Sequence, residues 1–88
     1  MVQHLYGISW ERYYEMYREQ DGKCAICRRP GFMANRGPKN RRLAVDHDHN
    51  TGKVRGLLCV HCNSMIGYAQ DNPELLRAGT LYLVKTLQ

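Results

Sequence analysis

The sequence predicts a small α+β domain, in which two short strands and a helix are held by a four-cysteine metal clamp and flanked by N- and C-terminal helices. Three observations carry that expectation. Two Cys-x2-Cys pairs, Cys24/Cys27 and Cys59/Cys62, are spaced as metal knuckles are. Two apolar runs, at 43–45 and 54–58, lie either side of a turn signal. Aromatic residues recur at helical spacing ahead of the first knuckle. At 88 residues the chain reads as a single domain, 1–88, with its core in 22–67. A chain this short buries a modest core and often needs a metal, disulfides or a partner.

The first predicted helix covers 9–20. Ser9 suits the N-cap, and Trp10, Tyr13, Tyr14 and Tyr17 form a stripe that reads as core or interface, extended by Leu5, Tyr6 and Ile8. Asp21-Gly22 ends it. The first knuckle follows, with Ile26 expected to pack inward. Residues 30–42, rich in Pro, Gly and basic side chains, have no periodicity and read as a loop with some mobility, anchored by Phe32 and Met33. Leu43, Ala44 and Val45 make a strand leading into Asp46-His47-Asp48-His49. Asn50-Thr51-Gly52-Lys53 is a turn, and 54–58 is the returning strand. From Cys59 the chain turns helical through Gly67. Asn72-Pro73 is an N-cap followed by proline at the first helical position. Leu75, Leu76, Leu81, Val84 and Leu87 give the last helix an apolar face, expected either to cover the first helix or to mediate a homodimer.

Charge is unevenly spread. Eight Lys/Arg stand against two Asp between residues 28 and 55, whereas the whole chain is only +5. That concentration points to a polyanion, most simply nucleic acid. Arg36, Lys39, Arg41, Arg42, Lys53 and Arg55, with His61, are the candidate backbone contacts. No apolar leader and no membrane-length span is visible, so a cytoplasmic setting is expected, where zinc thiolates persist and disulfides do not.

Four thiolates complete the tetrahedron of Zn2+ and leave no position for water, so Cys24, Cys27, Cys59 and Cys62 predict a structural site. The chemistry falls to the residues between the knuckles. A neutral imidazole such as His47 can take a proton from water near pH 7. Asp46 can bind a hard cation, Mg2+ or Mn2+, and Asn63, next to Cys62, offers a second oxygen ligand. His49 is a candidate for orienting phosphate, aiding the leaving group or touching the metal. Asp48 reads as a residue that orients a histidine or caps the turn.

GKCAIC, then LAVDHDHNTGKVRGLLCVHCN and the helical SMIG, resemble the recombination endonuclease VII family, within the His-Me finger (HNH, ββα-metal) nucleases. The resemblance covers about residues 22–67. It implies a His-Me finger core, zinc on the four cysteines, His47 as general base, Asp46 and Asn63 as catalytic metal ligands, and His49 as a further active-site histidine. It also implies DNA, branched or nicked, as partner, and a phage or prophage source. The leading expectation is a divalent-metal-dependent endonuclease that nicks DNA with low sequence specificity. A dimeric resolvase of Holliday junctions or other branched DNA is the second reading, and a non-catalytic zinc-bound DNA-binding module the third.

Overall fold

The computed structural model describes residues 4–5 and 7–86, with side chains described from 7 to 85. In chain order the elements are β1 (His4–Leu5), β2 (Ile8–Ser9), α1 (Trp10–Glu19), a 3-10 turn (Lys39–Arg41), β3 (Ala44–His47), β4 (Val54–Leu58), α2 (Val60–Tyr68) and α3 (Pro73–Thr86). The antiparallel β1–β2 ribbon was not anticipated. The expectation for Tyr6, and those for the side chains of Leu5 and Leu87, lie outside the described residues.

Helix α1 begins where Ser9 Oγ accepts the Arg12 backbone N–H at 3.2 Å. Its aromatic stripe is the core layer. Tyr13 is fully buried and its hydroxyl donates to the Leu43 carbonyl at 2.6 Å, while Tyr17 donates to the Gly31 carbonyl at 2.7 Å. A buried phenol needs such an acceptor, and each bond also ties the helix to a distant segment. The helix closes with Gly22 N–H on the Tyr17 carbonyl at 2.8 Å. Asp21 and Gly22 both take left-handed backbone, φ 58° and 68°, the second on the residue that bears it most easily.

The core is small: Tyr13, Met16, Cys24, Leu43, Val45, Leu57, Leu58 and Cys62. The carboxamide of Gln20 binds the knuckle to it, donating to the carbonyls of Lys23 (2.7 Å) and Leu57 (2.9 Å) and accepting from Leu57 N–H (2.9 Å). Ile26 does not pack inward as expected. It is 44% exposed, because the tight Cys-x2-Cys turn directs the sulfurs inward and the two residues between them outward.

Segment 30–42 is more ordered than its composition suggests. Phe32 N–H donates to Arg41 (2.9 Å) and Leu43 N–H to Phe32 (2.8 Å), while Arg42 Nε donates to the carbonyls of Arg36 (2.8 Å) and Gly37 (3.1 Å). Gly37 has φ +65°, and a Cβ there would fall 2.5 Å from Phe32 Cγ, so only glycine lets that ring lie against the backbone.

Strands β3 and β4 pair antiparallel, Val45 opposite Leu57 and Asp46 opposite Gly56. His47 then pairs with Val54, leaving Arg55 as the extra residue of a β-bulge. Asp48 closes the hairpin loop: its Oδ1 accepts from Asn50 N–H (2.7 Å) and Thr51 N–H (3.1 Å), which hold its pKa below the usual carboxylate value. This is the turn-capping role expected for it. Helix α2 packs against both strands.

Helix α3 starts as expected, with Asn72 Oδ1 accepting Glu74 N–H at 3.0 Å. Its apolar face does not cover α1. Leu75, Leu81, Tyr82, Leu83 and Val84 are exposed, and the molecule extends 54 Å along one axis against 28 and 21 Å across. The α2–α3 turn directs α3 away from the core, which overrides the amphipathic pattern.

Candidate metal clamp and candidate active site

The two knuckles meet as the spacing requires. Sγ atoms of Cys24, Cys27, Cys59 and Cys62 lie within 4.8 Å of one another, forming a site that can hold a metal ion. Cys27 Sγ and Cys59 Sγ stand 3.8 Å apart. Ligands at about 2.3 Å from a tetrahedral zinc ion sit about 3.8 Å from each other, whereas a disulfide needs about 2 Å. Cys59 also caps α2, its sulfur accepting Cys62 N–H at 3.4 Å, so the helix grows directly from the clamp. Burial resists ionisation at Cys24. Backbone N–H groups of Cys59, Cys27 and Ile26 and the thiol of Cys62 outweigh it and bring the pKa down to about 6. Burial and the neighbouring thiols push Cys62 up to about 12. Cys24 and Cys62 are thus pushed in opposite directions, and a divalent ion, which binds thiolates, would favour the ionised form of both.

The second cluster lies at the end of β3. Asp46 is buried, with 7% of its surface exposed, and its charge is met by Arg55: Nε to Oδ2 at 2.7 Å and Nη2 to Oδ1 at 3.0 Å. The bulge makes this possible. In unbroken pairing, side chains alternate between the two faces of the hairpin, and Arg55 would stand opposite His47 instead of reaching across to Asp46. Arg55 Nη2 continues to the His47 carbonyl (3.4 Å) and to Asp71 Oδ1 (3.3 Å). Asp71 Oδ2 meets His49 Nδ1 at 2.8 Å. The hydrogen bond to His49, then that to Arg55, holds the Asp71 carboxyl below the usual range, and the two carboxylates in turn raise the pKa of Arg55. His47 and His49 have ring centroids 5.5 Å apart, and the Nδ1 atom of His47 is turned away from solvent.

Of the four residues singled out for chemistry, Asp46, His47 and His49 are thus brought together. Asn63 lies in the first turn of α2, exposed, its N–H on the Cys59 carbonyl at 2.9 Å. Among the described residues no side-chain hydrogen bond joins Asn63 to the other three. Asp71 was missed. It lies beyond α2, and its nearest sequence signal, Asn72-Pro73, speaks only of a helix start.

The basic residues divide by geometry. Arg55 is committed to carboxylates and Arg42 to loop carbonyls, whereas Arg36, Lys39, Arg41, Lys53 and His61 are exposed. A groove of about 690 Å³ runs between the first knuckle and the start of α2; Arg29, Phe32, Arg41 and His61 are among its lining residues. Arg29 belongs with these cations and was not singled out from sequence. Among the described residues, no helix is long and apolar enough to cross a membrane.

Two mycobacteriophage proteins are similar to this chain. The Gene 59 protein of Mycobacterium phage D29 is 51% identical over 81 residues, covering 91% of this chain and 46% of the relative. That of Mycobacterium phage L5 is 46% identical over 80 residues, covering 90% and 45%. The chain therefore spans slightly less than half the length of these relatives. The recombination endonuclease VII family matches residues 1–85, and the chain belongs to that family.

Proposed function

We propose that this domain is a divalent-metal-dependent DNA endonuclease with a His-Me finger core, hydrolysing phosphodiester bonds by nicking with low sequence specificity. The observation that carries the reading is Asp46 and His47 side by side at the end of β3, in a hairpin followed by α2, within a chain of this family. His47 takes a proton from the attacking water. The water oxygen bonds to phosphorus, the bond to the 3′ oxygen breaks and that oxygen takes a proton from solvent, and the products are a 3′-hydroxyl and a 5′-phosphate.

Asp46 and Asn63 supply hard oxygen donors suited to Mg2+ or Mn2+. The Arg55 fork takes two of the roughly four lone pairs of the Asp46 carboxylate, so acceptor capacity remains for a cation. Such an ion keeps most of its waters and needs few protein ligands, and when bound it stabilises charge on the leaving oxygen. Zinc on Cys24, Cys27, Cys59 and Cys62 fixes the start of α2, and with it Asn63. Arg29, Arg36, Lys39, Arg41, Lys53 and His61 provide sequence-independent phosphate contacts, which makes binding salt-sensitive.

A branched-DNA resolvase is the second reading, favoured by the uncovered apolar face of α3, on which a second copy would dock and supply a second active site. Both readings take a phage or prophage source from the relatives. The test is cleavage of supercoiled plasmid and of a synthetic four-way junction with Mg2+, Mn2+ or EDTA. Nicked circles with either metal and none with EDTA are expected. Paired cuts on the junction by a dimer would favour the resolvase, and DNA binding without cleavage under any metal would leave only a binding module.

A further inference from the structure

We infer that Asp71 is a positioning residue of this site, acting through His49 and Arg55; the inference rests on the nuclease reading. His49 is 67% exposed at its side chain, and an exposed imidazole on a loop turns freely unless something holds it. The Asp71 side chain, only 14% exposed, holds it by the 2.8 Å bond to Nδ1. An ionised carboxylate can only accept, so Nδ1 carries the proton in that bond and Nε2 is the nitrogen offered outward. The other Asp71 oxygen accepts from Arg55 Nη2, which also binds Asp46. One carboxylate thus fixes the ring that faces His47 and braces the arginine that grips the Asp46 carboxylate.

The backbone argues the same way. Helix α2 ends with Gln70 N–H on the Gly67 carbonyl and Asp71 N–H on the Ile66 carbonyl, both at 3.0 Å. Gln70 and Asp71 both adopt left-handed φ, 56° and 58°. Helix α1 ends with the same bonding pattern and two left-handed residues, but there the second is Gly22. Glycine suits that position better than aspartate on conformational grounds. Aspartate at the second such position is explained by what its side chain reaches.

Glycine is therefore the informative replacement. Asp71→Gly should keep the fold, the zinc and the thermal midpoint, since it relieves the left-handed backbone as it removes the carboxylate. Its cleavage kcat should fall on the order of tenfold to a hundredfold, with KM for plasmid DNA little changed. Asp71→Asn, which still accepts a hydrogen bond, should fall between the two. In 15N-labelled protein, the ring nitrogens of His49 should report a proton held on Nδ1 in the wild type and a mixture of tautomers in Asp71→Gly. A purely structural role would instead lower the midpoint of Asp71→Gly and leave the kcat of the folded fraction unchanged, and that result overturns the inference. So does a His49 tautomer that does not respond. If the wild type cleaves no DNA, the nuclease reading fails by itself, while the His49 spectra still decide whether Asp71 holds the ring.

Discussion

The cysteine clamp and the Asp46–Arg55–Asp71–His49 chain are both four-residue clusters, but they are built differently. The clamp joins two local knuckles, each a three-residue step, and a single ion could satisfy all its members. The polar chain draws on a strand, a bulge, a hairpin loop and the turn after a helix, and its members satisfy one another in sequence. If the clamp is a scaffold its loss should be global, and if the polar chain is an arrangement of one site its loss should be local, so the two should separate experimentally.

The largest expected effect is on the clamp. Structural zinc contributes about 10–16 kcal/mol of binding free energy in small metal-folded peptides, comparable to or larger than the whole stability of a domain this size. Cys59→Ala, or a strong chelator, should therefore abolish cooperative unfolding in thermal melts followed by circular dichroism. A folded, metal-free Cys59→Ala protein would erase the distinction between the clusters.

His47→Ala comes next. Loss of a general base typically costs 10²–10⁴ in rate, so plasmid nicking should fall by about that much with zinc content and thermal midpoint retained. Undiminished nicking would remove His47 from the chemistry.

Arg55→Ala tests the polar chain as an electrostatic unit. It leaves the Asp46 carboxylate buried without its fork, at a cost of about 1–3 kcal/mol, read as a lower midpoint in urea unfolding. A midpoint equal to that of the wild type would mean that Asp46 finds another partner or water. Smallest is Arg41→Ala at the groove. One lost phosphate contact should weaken DNA binding equally across sequences and reduce the slope of log K against log salt by about 1. An unchanged slope would place the DNA elsewhere.

What the sequence disclosed follows the same division. Ser9, Asn72-Pro73, the turn at 50–53 and both knuckles are local signals, and the elements they predict lie within one or two residues of those observed, the largest difference being β3, expected over 43–45 and found over 44–47. The helix expected over 9–20 is Trp10–Glu19 with Ser9 as its cap, and the strand expected over 54–58 is β4. What escaped depends on tertiary geometry. The helical pattern of α3 says which face is apolar, not which way the preceding turn aims it. Asp71 lies 22 residues from the histidine it meets, two residues ahead of a proline whose signal concerns a helix start. Segment 30–42 hides its order because its bonds end on backbone carbonyls, which composition does not reveal.

The bulge at Arg55 carries one more implication. Opposite Asp46 and His47, β4 counts three residues, Gly56, Arg55 and Val54. The number of residues in this strand is thus as much a part of the site as their identities. A one-residue deletion here would keep an antiparallel hairpin and its apolar composition. It would also remove the odd step that lets an arginine on one strand serve an aspartate on the other. Length variation in β4 should therefore be tolerated less well than in the neighbouring loop at Asn50–Lys53, where an added residue disturbs the turn that Asp48 caps but leaves the arginine's odd step in place.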